Sequence, residues 1–235
     1  GQLLLSLADW LEAQKYQTKL LAANAIDLTL GEGYKPKKAK FEIRHPQDGR
    51  KISLAIEELP SKLANFKTIV VPYELASLFD EQHDIYAYIT VGDLKSTIAD
   101  LPDHVGVATY VSEDNYLALL DEISKSTKSR WLIKTNDLPL NVLEQLTHIE
   151  DRTVVIQTNM PFAFAKAGKV FGEHQIVDIQ DLVYQLDQSA IDPVCGCSSC
   201  QKYSRSYLHH LYSNTPLLCI QLLAQHNLTV WQQFF

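Results

Sequence analysis

The chain has 235 residues, 46% of them apolar, and a formal charge of −7 at pH 7. Its length and apolar content suit one large globular domain or two small ones, while no run of about 18 apolar residues is present to span a bilayer. The acidic balance excludes a protein that grips nucleic acid over its whole surface, because phosphate contacts need local Lys and Arg density; any such site must be a patch.

The opening stretch "LLLSLADWLEAQ" places Leu3, Leu4, Leu7, Trp10 and Leu11 at helical spacing, which predicts an amphipathic helix. A short strand is expected at "TKLLA". The segment "KFEIRHPQDGRKISLAI" then shows two extended arms around Asp48-Gly49, a pair suited to tight hairpin turns, and predicts a hairpin over 40–55. From there strand-like and helical pieces alternate. "TIVVPY" is followed by "ELASLFDE", "DIYAYITV" by "DLKSTIADL", "HVGVATYV" by "EDNYLALLDEIS" and "RWLIKT" by "LNVLEQLTHI", with "RTVVIQ" closing the series. Strands separated by helices of about ten residues are the signature of parallel βα units. With "TKLLA" the series has six strands, whereas a closed (β/α)8 barrel takes eight. An α/β fold is expected: an open sheet or a shortened TIM-type barrel.

After residue 160 that rhythm stops. "KVFGEHQIVDI" reads as short extended pieces, and two helices, "QKYSRSYLHHLYS" and "PLLCIQLLAQHNLTVWQQFF", end the chain. Just before these helices lies "DPVCGCSSC", with three of the four cysteines within six positions. The fourth, Cys219, sits alone in an apolar run. This is no disulfide framework, and with no basic-then-apolar leader a reducing cytoplasmic setting is expected, which favours metal-binding thiolates. Cys195, Cys197 and Cys200 can converge on one zinc ion, and a histidine would complete a tetrahedral set; spacing leaves His209, His210 and His226 open as the fourth ligand. Four protein ligands leave no position for water or substrate, so the zinc would be structural rather than catalytic.

The stretch "IDPVCGCSSCQKYSRSYLHHL" with the later "LLAQHNL" resembles the C-terminal zinc subdomain of the tRNA-guanine transglycosylases (queuine tRNA-ribosyltransferases). The resemblance implies Cys195, Cys197, Cys200 and His226 as zinc ligands. It also implies a (β/α)8 barrel in front of the knuckle, with an exchange of guanine in tRNA through an aspartyl intermediate. Aligned on Met160-Pro161 and Gly168, the position of the family's nucleophilic Asp holds Gln157. A neutral carboxamide is a poor replacement, since attack on the anomeric carbon needs an anionic oxygen that can later leave. Aligned on the hairpin, Leu21 or Ala22 falls where the family's proton-transfer Asp belongs. Thr90 lies near a substrate-recognising Gln, and Glu74 in "TIVVPYEL" is the candidate substrate-binding acid.

The lost carboxylates imply a non-catalytic relative and the count of six strands a shortened one, with a barrel over 1–189, a hairpin insertion at 40–55 and a zinc subdomain over 190–235. Its expected role is an accessory or partner subunit, paired with itself or with a catalytic transglycosylase, or a tRNA-associated factor in queuosine-type modification. Lys166, Lys169, Lys202 and Arg205 are candidates for a basic RNA-binding patch beside the knuckle. Two alternatives compete with that role. One is an active enzyme using shifted acids, with Asp27, Glu74, Asp93, Glu113 and Asp114 as candidates near strand ends. The other is a zinc-stabilised scaffold with no RNA role.

Overall fold

The computed structural model describes residues 4–6, 25–29, 40–44, 51–172 and 175–234. Two compact units divide after Gln157: Gly1–Gln157 and Thr158–Phe235.

The first unit is built on a parallel sheet. Its strands are β1 (Leu4–Ser6), β2 (Ala25–Asp27), β5 (Thr68–Pro72), β6 (Asp84–Tyr88), β7 (Gly106–Tyr110), β8 (Arg130–Lys134) and β9 (Thr153–Gln157), and they pair in that order. A separate antiparallel hairpin, β3 (Lys40–Arg44) with β4 (Lys51–Ala55), follows β2 as expected, in register from Lys40 opposite Ala55 to Arg44 opposite Lys51. The turn at Asp48-Gly49 lies outside the described residues. Helices α1 (Leu59–Leu63), α2 (Leu94–Thr97), α3 (Tyr116–Lys125) and α4 (Leu140–Thr147) connect the strands, together with 3-10 turns at Tyr73–Leu78, Val91–Asp93 and Ile98–Asp100.

Among the described residues the parallel sheet has seven strands, where the sequence suggested six. Residues Leu4–Ser6 form a strand where helical spacing suggested a helix, and Ala25–Asp27 pair in parallel with β5. The "TKLLA" segment lies outside the described residues.

Both faces of the central strands are covered, which is why they read as continuous apolar runs rather than as alternating ones. Val70, Tyr86, Ala108 and Leu132 stack across neighbouring strands on one face, with Tyr88 against them. Ile69, Ile85, Val107, Trp131 and Ile133 point the other way and are fully buried. The edge strand β9 is more open: Val155 is 44% exposed.

The sheet is strongly curled. Four strand spacings separate β2 from β8, roughly 19 Å if the sheet were flat, further than a lysine and an aspartate together reach. Yet Lys134 Nζ lies 2.5 Å from Asp27 Oδ2. Gln157 on β9, one strand further round, also reaches that carboxylate, at 3.4 Å. The first unit is thus an incomplete (β/α) barrel whose strand ends converge.

The second unit begins with α5 (Met160–Lys166), which has Pro161 in its first turn, where a missing N–H costs nothing. It stops at Gly168, whose φ of 74° is one that L side chains resist. A Cβ there would also lie 2.7 Å from the Gln180 amide. Strands β10 (Lys169–Phe171) and β11 (Ile176–Asp178) pair antiparallel, and α6 (Ser198–Lys202), α7 (Arg205–Asn214) and α8 (Pro216–Phe234) complete the unit. Trp231 of α8 packs near Phe171, ring centroids 6.3 Å apart.

Candidate functional site

In the barrel unit, polar side chains gather where the parallel strands end, the position at which barrels of this class place their chemistry. Asp27 closes β2 and is fully buried. Its Oδ1 accepts from the Thr29 backbone N–H at 2.8 Å and from the Thr29 hydroxyl at 2.6 Å. Its Oδ2 accepts from Lys134 Nζ and, at 3.4 Å, from Gln157 Nε2. Lys134 closes β8, in register with Gln157 on β9 and Tyr110 on β7. Its ammonium also donates to the Thr29 hydroxyl at 2.5 Å and lies 5.0 Å from the centre of the Tyr88 ring.

Burial lowers the pKa of Lys134 from the ordinary lysine value, while the Asp27 charge and hydrogen bond oppose that shift. Burial, followed by the nearby Asp27 and Tyr110, pushes the Tyr88 phenol up. An acid, a base and a carboxamide therefore converge at the barrel end, but the acid and base are spent on each other.

The second cluster lies in the Thr158–Phe235 unit. Asp192 shapes the loop that presents Cys195 by accepting from the Val194 N–H at 2.9 Å. Cys197 is the N-cap of α6, its sulfur accepting from the Cys200 N–H, so capping brings these two thiols to one side. The ligand atoms of Cys195, Cys197, Cys200 and His226 all lie within 4.8 Å of one another, and all four residues are buried. His226 Nδ1 faces Cys200 Sγ at 3.2 Å and Cys197 Sγ at 3.6 Å. Tetrahedral zinc with ordinary bond lengths separates sulfur from nitrogen by about 3.6 Å, so the donor set fits such an ion.

The other imidazole nitrogen, Nε2, lies 2.7 Å from the Phe171 carbonyl. Donating there leaves the Nδ1 lone pair for a metal, the outer support that ligating histidines usually have. The neighbouring Asn227 fixes that carbonyl's strand: it accepts from the Phe171 N–H and donates to the Pro161 and Lys169 carbonyls. Burial pushes the Cys195 and Cys200 thiols up and holds His226 down, so no member of the cluster brings positive charge of its own.

Of the histidines left open by spacing, His226 joins the cysteines. His209 contacts the Ile179 carbonyl and His210 lies against Asn214. The buried Cys219 donates to the Leu208 carbonyl, with its thiol pKa raised to about 12 by burial.

Gln157 stands at the convergent strand ends. Glu74, Asp93, Glu113 and Asp114 are all exposed, so among the five acids considered Asp27 alone is buried in the cluster. Leu21 and Ala22 lie outside the described residues; the strand before the hairpin ends in Asp27. Lys166, Lys169 and Lys202 are exposed. Arg205, by contrast, is engaged with Asp187 at 3.2 Å, the Ile191 carbonyl at 2.8 Å and the Tyr184 ring. Lys202 borders an open groove with Gln185, Gln188, Tyr203, Tyr207 and His210. Sequence reasoning missed Lys134, for which the available signal was a single charge ending the apolar strand "RWLIK".

A curled parallel βα sheet and a buried Cys3His cluster define an incomplete barrel followed in the chain by a candidate metal knuckle. A family model described as queuine tRNA-ribosyltransferase matches residues 155–235. The chain is 31% identical to the "Queuine tRNA-ribosyltransferase" of Buchnera aphidicola over 160 residues, 67% of this chain and 38% of that protein. It is 41% identical to that of Desulforapulum autotrophicum over 69 residues, 29% of this chain and 19% of the relative. From the last barrel strand through the knuckle, the chain matches the queuine tRNA-ribosyltransferase family model. It spans less than two fifths of the length of these relatives.

Proposed function

We propose that this chain is a non-catalytic transglycosylase-like protein, an accessory or partner subunit or tRNA-associated factor in queuosine-type tRNA modification, with a structural zinc ion held by Cys195, Cys197, Cys200 and His226. The observation that carries the reading is Gln157. At the position that family resemblance gives to the nucleophile, the chain presents a carboxamide that donates to Asp27. A carboxamide supplies no anionic oxygen for attack on the ribose. The acid that remains nearby, Asp27, is neutralised by Lys134.

Zinc would close the knuckle and contribute folding energy rather than chemistry, since the four protein ligands complete its coordination. Protein partners are self or a catalytic transglycosylase, and tRNA is the candidate nucleic acid. Exposed Lys202 remains available for phosphate; Arg205 serves its own loop.

The test has two readouts. Mixed with a catalytic transglycosylase, the protein is expected to co-elute at micromolar concentration, or to bind tRNA with an affinity that falls steeply with salt. Absence of both would leave a zinc-stabilised scaffold. Asp27 at the strand ends favours one competing reading, an enzyme with a shifted acid, so tRNA should also be incubated with radiolabelled guanine. Incorporation by the purified chain would overturn the non-catalytic assignment.

A further inference from the structure

The strand-end cluster has the composition of a binding site for a primary ammonium ion: a buried carboxylate, a hydroxyl, an aromatic face and a carboxamide. Each oxygen of Asp27 receives two hydrogen bonds. The three N–H groups of Lys134 have three destinations: Asp27 Oδ2, the Thr29 hydroxyl and the Tyr88 ring. A cation 5.0 Å from a tyrosine centroid is within the range of favourable cation–π contact. Asp27 is fully buried and the Lys134 side chain is 9% exposed, so water does not compete for either charge.

An ion pair of this kind does not need a lysine to fold a barrel. Buried pairs are often matched or bettered by apolar residues of similar volume, because desolvation cancels much of the attraction. Elsewhere this sheet fills the same face with Val70, Ala108 and, on the strand of Lys134 itself, Leu132. Beside the pair, Gln157 Oε1 is buried with no hydrogen-bond partner, so one acceptor of the site is left over after the lysine is satisfied.

We infer that Lys134 is an internal ligand: its ammonium occupies an ammonium-binding site formed by Asp27, Thr29, Tyr88 and Gln157 at the barrel end, and so shuts that site to external molecules. The inference deepens the non-catalytic reading and rests on it only for the meaning of the closed site; the binding chemistry stands on the cluster itself. Removing the lysine stem opens a channel the width of a methylene chain. It lies beside Tyr110, the register partner of Lys134, which is 40% exposed. The external molecule that channel takes is a linear alkylammonium ion.

The experiment is thermal denaturation of full-length Lys134→Gly with n-butylammonium chloride, using n-butanol and sodium chloride as controls. Butylammonium is expected to raise Tm saturably and to be preferred over butanol by about tenfold or more, the factor a charge-assisted hydrogen bond provides. The wild-type protein should show no such response. Equal responses to amine and alcohol would overturn the inference, as would a saturable amine response in the wild type.

Because Lys134→Gly leaves Asp27 unpaired, Lys134→Gly combined with Asp27→Asn gives a second variant without the buried charge. Its amine preference should fall to near unity; a preference that persists would overturn the role of Asp27. Acetic anhydride labelling of the wild type, read by mass spectrometry, gives a measurement free of folding defects. Lys134 should remain unmodified while Lys125 is labelled, and equal labelling would count against the internal ligand. Loss of amine rescue without guanine incorporation sinks this inference alone, whereas guanine incorporation by the wild type sinks the non-catalytic reading.

Discussion

The two buried polar clusters of this chain differ in the source of their positive charge. At the barrel end, Lys134 supplies it from within the chain and lies 2.5 Å from the carboxylate it neutralises. In the tail, three thiols and an imidazole gather with no cation among them. A buried carboxylate that carries its own counter-charge is complete as folded, whereas buried thiolates without one would call for a bound cation. Burial thus leaves the first cluster satisfied from within and the second a candidate metal site.

The largest effect expected from that contrast is on the tail. Structural zinc in small knuckles contributes apparent binding free energies of about 10–16 kcal/mol near neutral pH, more than most domains have in total stability. Dialysis against a strong chelator, or Cys197→Ala, should therefore unfold α6 and loosen α8, with loss of helical circular dichroism. Metal analysis of the untreated protein should give one zinc per chain. The barrel cluster contains no metal-dependent group, so its near-ultraviolet tyrosine signal should survive. Retention of the full helical signal without metal would show that the knuckle closes by packing alone.

An intermediate effect is expected at the barrel. Lys134→Met leaves Asp27 buried and unpaired and should cost about 3–5 kcal/mol in urea denaturation. Replacing both partners, Asp27→Asn with Lys134→Met, should recover most of that loss, because the neutral pair no longer carries a desolvated charge. An additive double variant would mean that the two residues do not act as a unit.

The same contrast explains which features could be read in advance. Strands β5 to β8 were legible because parallel strands buried on both faces are apolar throughout, and turn residues punctuate them; the more open β9 was legible from its β-branched run Thr153–Ile156. The three-residue strands β1 and β2 were not, since Leu4–Ser6 is too short to separate strand from helical spacing. The cysteines announced themselves by clustering. Their fourth ligand did not, because three histidines lay within reach in sequence and only the return of α8 past β10 selects His226. Family resemblance named that ligand where spacing had not. Lys134 was hidden for a related reason: it meets Asp27, 107 positions earlier, through sheet curvature alone, and no local pattern encodes a contact made across four strand spacings.

The smallest effect expected is a pH dependence that sharpens the account of the barrel cluster. Burial holds the Lys134 pKa below its unfolded value despite the attraction of Asp27. Between the folded pKa and the unfolded lysine value of about 10.4, the unfolded chain binds more protons than the native one. Stability then rises with pH across that window and is flat below it, where both states are protonated. Tyr88 works in the opposite direction. Its raised pKa means that the unfolded state ionises first, so stability falls as pH climbs past about 10. The clean window therefore closes near the unfolded tyrosine value. Urea denaturation of the wild type and of the Asp27→Asn, Lys134→Met protein across the alkaline range cancels the contribution of the tail cysteines, which both proteins share. The burial part of the Tyr88 shift cancels likewise, so the stability difference should shift in favour of the wild type with rising pH until the Asp27 contribution to Tyr88, lost in the variant, opposes it. A difference that moves the other way would mean that attraction to Asp27 outweighs burial, making the pair a net source of stability rather than an occupant that the fold tolerates.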